Sequence, residues 1–138
     1  MTLYLNEESF KPKINLSDNS VKYIYSCHFL HKLTKEEIIQ VLKECKRVLT
    51  PNEIIRISVP DYYLLADKYT KSKIKIEDIN KVLDGSKIFL DFILIQKLLV
   101  QCGFYAVKRY DSEKFGLDDE STMTFNGEII SLNVEAYG

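Results

Sequence analysis

Two short apolar runs flank a helix whose start and stop are both written into the chain, and this unit constrains the fold more than any other feature. Val21–Cys27 (VKYIYSC) is rich in β-branched and aromatic residues, which suits a strand. Thr34 can cap a helix, and Glu37 three residues later completes a capping box, with Leu33 placed to staple onto Ile38. Apolar residues at 38, 41, 42, 45, 48 and 49 then recur at helical spacing, so Thr34–Leu49 is expected to bury one face. Pro51-Asn52 ends that helix as a turn. Ile54–Val59 reads as the next strand, with Ile55, Ile57 and Val59 on one face and Arg56 and Ser58 on the other. A short crossover of this kind favours right-handed parallel pairing of the two strands.

Downstream, the patterning predicts a short helix over Tyr62–Tyr69, a weaker one over Glu77–Leu83 stopped by Gly85, and a deeply buried one over Leu90–Cys102 with Gly103 at its end. Phe104–Tyr110 is expected to be a strand, Phe115–Glu120 a loop, and Glu128–Ala136 a final strand. In that strand Ile130, Leu132, Val134 and Ala136 alternate with Ser131, Asn133 and Glu135. Strand, helix and strand followed by helices and a strand pair make an α/β sheet packed against helices. With 138 residues and no repeat or Gly/Ser linker, residues 1–138 read as a single domain.

Nineteen basic and 20 acidic residues nearly cancel, so no electrostatic footprint for nucleic acid is visible. No apolar run approaches the roughly 20 residues of a membrane span, and the start MTLYLNEESFKP lacks the layout of a secretory signal. Cys27, Cys45 and Cys102 are an odd, widely spaced set, which reads as reduced thiols in a cytoplasmic protein.

Four pieces of the chain carry a resemblance: Asp18-Asn19-Ser20-Val21, Tyr25-Ser26-Cys27-His28, Glu44-Cys45-Lys46-Arg47-Val48-Leu49 and Ile57-Ser58-Val59-Pro60-Asp61. Together they resemble the fourth strand, following helix and fifth strand of the class I S-adenosylmethionine (SAM)-dependent methyltransferases. LLVQCGFYAVKRYD and SLNVEAYG are similar to that family's passage into the sixth strand and to its closing strand. The resemblance implies a truncated Rossmann-like methyltransferase sheet, its strands equivalent to 4-5-7-6, with flanking helices and an antiparallel last strand. It also implies methyl transfer as the reaction type and SAM as the cofactor.

The family's cofactor site needs a glycine loop for close backbone approach and an acid for the ribose hydroxyls. The glycines here are 85, 103, 116, 127 and 138, and no GxG occurs. Where the family carries an acid for the adenine amino group, a gapless match places Phe10, with Glu7 and Glu8 nearby. The chain by itself is therefore expected to lack an ordinary SAM site, its N-terminal cofactor-binding half being absent. The resemblance assigns Ser26, Cys27 and His28 to the cofactor-facing floor. His31, which replaces the family's usual Glu, and Tyr62 fall where the family faces its substrate. No catalytic residue is assigned. His28 and His31 lack an obvious third metal ligand, so no metal site is expected, and His28 also fits a purely structural role at a strand-to-helix turn. A bare fourth strand would be a pairing template. Thr2–Asn6 could fold back over it, a second copy could pair there as a homodimer, or a partner chain could supply the missing strands. A non-catalytic interaction or regulatory subunit is the competing function.

Overall fold

The structure, a computed structural model, describes residues 1–9, 13–110, 124–125 and 127–138. Phe10 and the loop expected over Phe115–Glu120 lie outside the described residues. The elements run β1 (Thr2–Tyr4), β2 (Val21–Cys27), a 3-10 turn (Leu30–Lys32), α1 (Lys35–Val48), β3 (Leu49–Pro60), α2 (Tyr62–Thr70) and α3 (Ile76–Val82). They continue with α4 (Phe92–Gln101), β4 (Tyr105–Arg109), β5 (Thr124–Phe125), β6 (Glu128–Ile129) and β7 (Ser131–Tyr137).

α1 begins as its sequence dictates. The Thr34 side chain accepts from Glu37 N at 3.2 Å, and Glu37 Oε1 accepts from Thr34 N at 3.0 Å. Both bonds satisfy N–H groups that the first turn leaves without intrahelical partners. Ile38, Val41, Leu42, Cys45 and Val48 are buried on one face, each large side chain there contributing about 1.5–3 kcal/mol. Asp61 caps α2 through Tyr63 N at 3.0 Å, and Asp91 caps α4 through Leu94 N at 2.9 Å. The Asp91 cap explains why α4 begins at Phe92 rather than at Leu90.

The main sheet has the order β1-β2-β3-β7-β4. β1, β2 and β3 are mutually parallel, while β7 runs antiparallel to both β3 and β4. The four strands β2-β3-β7-β4 reproduce the expected 4-5-7-6 arrangement. The outer edge of β2 is not bare. Thr2, Leu3 and Tyr4 pair with Tyr23, Ile24 and Tyr25, so the N-terminal segment takes the fold-back option among those open in the sequence. The final strand is shorter than expected, because Glu128–Ile129 pairs instead with Thr124–Phe125 in a separate two-stranded sheet and β7 starts at Ser131. Gly127, at φ +78°, makes that tight reversal possible.

One face of the main sheet meets α1 and α4 in a single core that includes Ile24, Ile55, Ile57, Val134, Ala136, Leu42 and Leu99. The opposite face is polar yet also buried. Arg56 pairs directly with Glu135 across β3 and β7, and Glu135 with Lys108 across β7 and β4. The Glu135 carboxylate, 2% exposed, takes Arg56 Nε at 3.2 Å on one oxygen and Lys108 Nζ at 3.2 Å on the other. The Arg56 guanidinium also lies 5.7 Å from the Tyr23 ring centroid and 5.2 Å from that of Tyr110. Removing one member of a buried ion pair leaves the other charge uncompensated. Glu135→Ala is therefore expected to cost about 3–5 kcal/mol in urea unfolding, while the double change Arg56→Met with Glu135→Leu recovers most of that loss. Equal losses in the two proteins would refute the account. At the α1 cap, Thr34→Ala is expected to cost about 1 kcal/mol, and Thr34→Ser almost nothing.

Candidate functional site

β2, β3 and β4 point the same way, so their carboxyl ends share one rim of the sheet, and β7 begins there. Ligands of open α/β sheets sit outside the carboxyl ends of the strands. At the β1–β2 end of this rim is a hollow of ≈ 310 Å³ lined by Asn6, Glu7, Glu8, Cys27, His28, Phe29 and Lys32. Its walls are the turn after β1 and the turn after β2. The first is held by Asn6, whose Oδ1 accepts from Glu8 N at 2.9 Å, and by Ser9, whose hydroxyl donates to Tyr4 O at 2.9 Å. Glu7 and Lys32 face each other at 3.8 Å between the two turns; both are largely exposed, so their attraction is weak.

The second turn is shaped by His28, whose backbone lies in the left-handed region at φ 52°. Its N–H donates to Ser58 O at 2.7 Å, tying the end of β2 to β3. Left-handed backbone is uncommon outside glycine and Asn, Asp or His, and the bend turns the imidazole toward the start of β7. There His28 Nε2 and Ser131 Oγ lie 2.8 Å apart, a hydrogen bond whose direction the tautomer sets. The His31 ring stands edge-on to that of His28 with centroids 5.9 Å apart.

The other residues singled out in the sequence take different places. Ser26 is 1% exposed on the helix-packed face, and its hydroxyl meets no hydrogen-bond partner among the described residues. Cys27 is half-buried and lines the hollow with His28. His31 is 3% exposed; its carbonyl accepts from Lys87 N at 2.8 Å, and its Nδ1 has no partner among the described residues. Tyr62 stands farther along the rim, stacked on Phe89 at 4.9 Å between centroids. The structure thus brings Cys27, His28 and His31 together and leaves Tyr62 apart from them. Ser131 and Lys32 went unassigned in the sequence. Ser131 is 103 positions from His28, and only the pairing of β7 with β3 joins them. Among the described residues no group of three His, Cys, Asp or Glu is arranged to hold a metal ion.

Burial, reinforced by the nearby Lys32 charge, lowers the His28 pKa from 6.5 to about 4. Burial, His28 and Lys32 together lower that of His31 to about 4 as well. Both rings are neutral at pH 7 and serve as hydrogen-bonding groups rather than as cations. Because the folded values lie below the unfolded one, protonation favours the unfolded chain. The two histidines' contribution is fully present above about pH 6.5 and falls away as pH drops toward 4. NMR titration is expected to find no imidazole midpoint near 6.5, and His31→Gln is expected to flatten the decline in thermal stability between about pH 6.5 and 5. An imidazole titrating near its ordinary value would contradict this burial.

Residues 5–57, which include the hollow and the β2–α1–β3 unit, match a family model described as a methyltransferase domain. No curated protein is similar to the chain in sequence. Among solved structures, a SAM-dependent methyltransferase from Archaeoglobus fulgidus is 18% identical over 89% of this chain and 62% of its own, with a TM-score of 0.57. A possible histamine N-methyltransferase from Thermotoga maritima is 15% identical over 91% and 59%, with a TM-score of 0.59. A putative methyltransferase from Haloferax volcanii, solved in complex with the Trm112 methyltransferase activator, is 13% identical over 91% and 57%, with a TM-score of 0.54. The chain thus spans about three fifths of the length of these structures. It has the Rossmann-like fold of these SAM-dependent methyltransferases, and residues 5–57 match the methyltransferase-domain model.

Proposed function

We propose that this is a SAM-dependent methyltransferase-like protein that neither holds SAM nor transfers a methyl group as an isolated chain. The observation that carries the reading is the make-up of the hollow at the β1–β2 end of the rim. It lies outside the carboxyl end of the strand equivalent to the family's fourth, and Cys27 and His28 form its floor. None of its lining residues among those described is a glycine, so these walls do not offer the bare backbone that close approach to a nucleotide-like ligand needs. Glu7, near the position that the resemblance gives to the acid for the adenine amino group, faces Lys32. The residues present do not fit the whole cofactor. Ser26 belongs with Cys27 and His28 through the backbone of β2 rather than through its buried hydroxyl. His31 and Tyr62 remain proposed substrate-side residues, with His31 acting from beneath the surface through His28.

Completion by a partner follows from the same reading. β1 is an edge strand with three paired residues, and a further strand, from a second copy or from a separate chain, would extend the sheet there. That neighbour's strands would bring the missing backbone to the hollow. A purely regulatory role is favoured by the chemistry of the site itself: two neutral imidazoles, with no carboxylate hydrogen-bonded to them among the described residues, offer no strong general base. No helix among the described residues is long and apolar enough to cross a membrane, which agrees with the proposed cytoplasmic setting.

Calorimetric titration of the chain with SAM and with S-adenosylhomocysteine is expected to give no saturable heat, and the thermal midpoint is expected to stay fixed at millimolar ligand. Saturable binding near one per chain would overturn the reading. Sedimentation of the same sample is expected to give a dimer mass, and a strictly monomeric mass would leave completion by a different chain.

A further inference from the structure

The rim carries a second hollow at its other end, of ≈ 400 Å³, lined by Tyr63, Asp91, Phe92, Ile93 and Arg109. It sits outside the carboxyl ends of β3 and β4, where the first turns of α2 and α4 converge. Its chemistry differs from that of the first hollow. Tyr63 and Ile93 are 66% and 75% exposed, although both sit at helix starts where an ordinary surface residue would be polar. Next to them Tyr62 and Phe89 form a stacked, solvent-facing pair. Small-molecule sites combine a mainly apolar and aromatic lining with a few placed polar groups, at volumes from about 300 Å³ upward. This hollow has that make-up.

Arg109 decides the charge it would accept. The guanidinium carbon lies 4.6 Å from the centre of the Phe92 ring, and a guanidinium set over an aromatic ring can still offer N–H groups to a carboxylate. Among the described residues two acids stand at this end, and both accept from helix N-termini: Asp91 from Leu94 N and Asp61 from Tyr63 N, with the Arg109 charge also acting on Asp61. Asp61 is moreover 3% exposed and set back from the hollow. Arg109 is the one cation among the described lining residues, flanked by exposed apolar surface.

We propose that this hollow binds a planar aromatic carboxylate, its ring between Tyr63 and Ile93 and its acid group on Arg109. The site stands apart from the cofactor reading, so failure of SAM to bind leaves it untouched. The test is NMR titration of the full chain with benzoate and with its uncharged counterpart benzamide, following the Ile93 methyl and Tyr63 ring signals. Saturable shifts are expected with both, benzoate binding roughly tenfold tighter. Arg109→Gln is expected to bring benzoate down to the level of benzamide, and Arg109→Lys to keep part of the preference. Ile93→Ser is expected to weaken both ligands. The absence of saturable shifts, equal affinity for the two ligands, or a preference that survives Arg109→Gln would each overturn the proposal.

Discussion

A single row of side chains across four strands sets the register of everything else. Tyr25, Arg56, Glu135 and Lys108 stand directly opposite one another on β2, β3, β7 and β4. The carboxylate near the middle of the row is held by a cation on each flanking strand. β7 enters the sheet against the direction of both neighbours, with no tight hairpin to fix its alignment. A slip of one residue would turn Glu135 into the apolar layer that holds Ile55 and Ala136 and cost a buried, unpaired charge. Ser131 lies four residues before Glu135 on the same strand. The ion pair therefore also delivers the Ser131 hydroxyl to His28 at the rim, and a stability element on one face fixes the geometry of the candidate site at the edge.

The two hollows on that rim arise from different local causes. The first forms because β2 ends in a left-handed turn at His28 while the chain after β1 folds back beside it. The second forms because Asp61 and Asp91 start two helices close together at the far strands. One is polar, with the carboxylates of Glu7 and Glu8 and the Lys32 ammonium in view, and the other is aromatic, with the Arg109 guanidinium and the helix-capping Asp91.

What the sequence made legible follows from range of interaction. The capping box at Thr34 and Glu37 and the apolar stripe of α1 are local signals and formed as expected, whereas the strand expected over Ile54–Val59 begins earlier, at Leu49, and runs to Pro60. The expected turn at Pro51-Asn52 is instead an irregularity inside β3, which Asn52 accommodates at φ 69° where the resembled family has glycine. The beginning of the last strand was misread, since alternation from Glu128 to Ala136 does not reveal that Gly127 folds the first residues into a separate hairpin. The burial of Arg56, Ser58 and Glu135 was hidden for a related reason: alternation reads as one wet face, yet both faces here are covered. The His28–Ser131 bond and the convergence of Arg109 on Phe92 depend on strand order, and only the resemblance spoke to that.

The irregularity at the start of β3 has a consequence of its own. Val21 pairs with Leu49 and Tyr23 with Ile54, so one residue of β2 spans four residues of β3. The surplus is looped out around Asn52, whose amide donates to the carbonyl of Gly138, and Gly138 N returns a bond to Glu53 O. Because the slack is confined to this pleat, the residues from Ile54 onward keep their partners whatever the loop's length. Over evolutionary time, small insertions or deletions at 51–53 could accumulate here at the low cost of closing a slightly different loop, while the same change two residues later would invert every side chain of the strand.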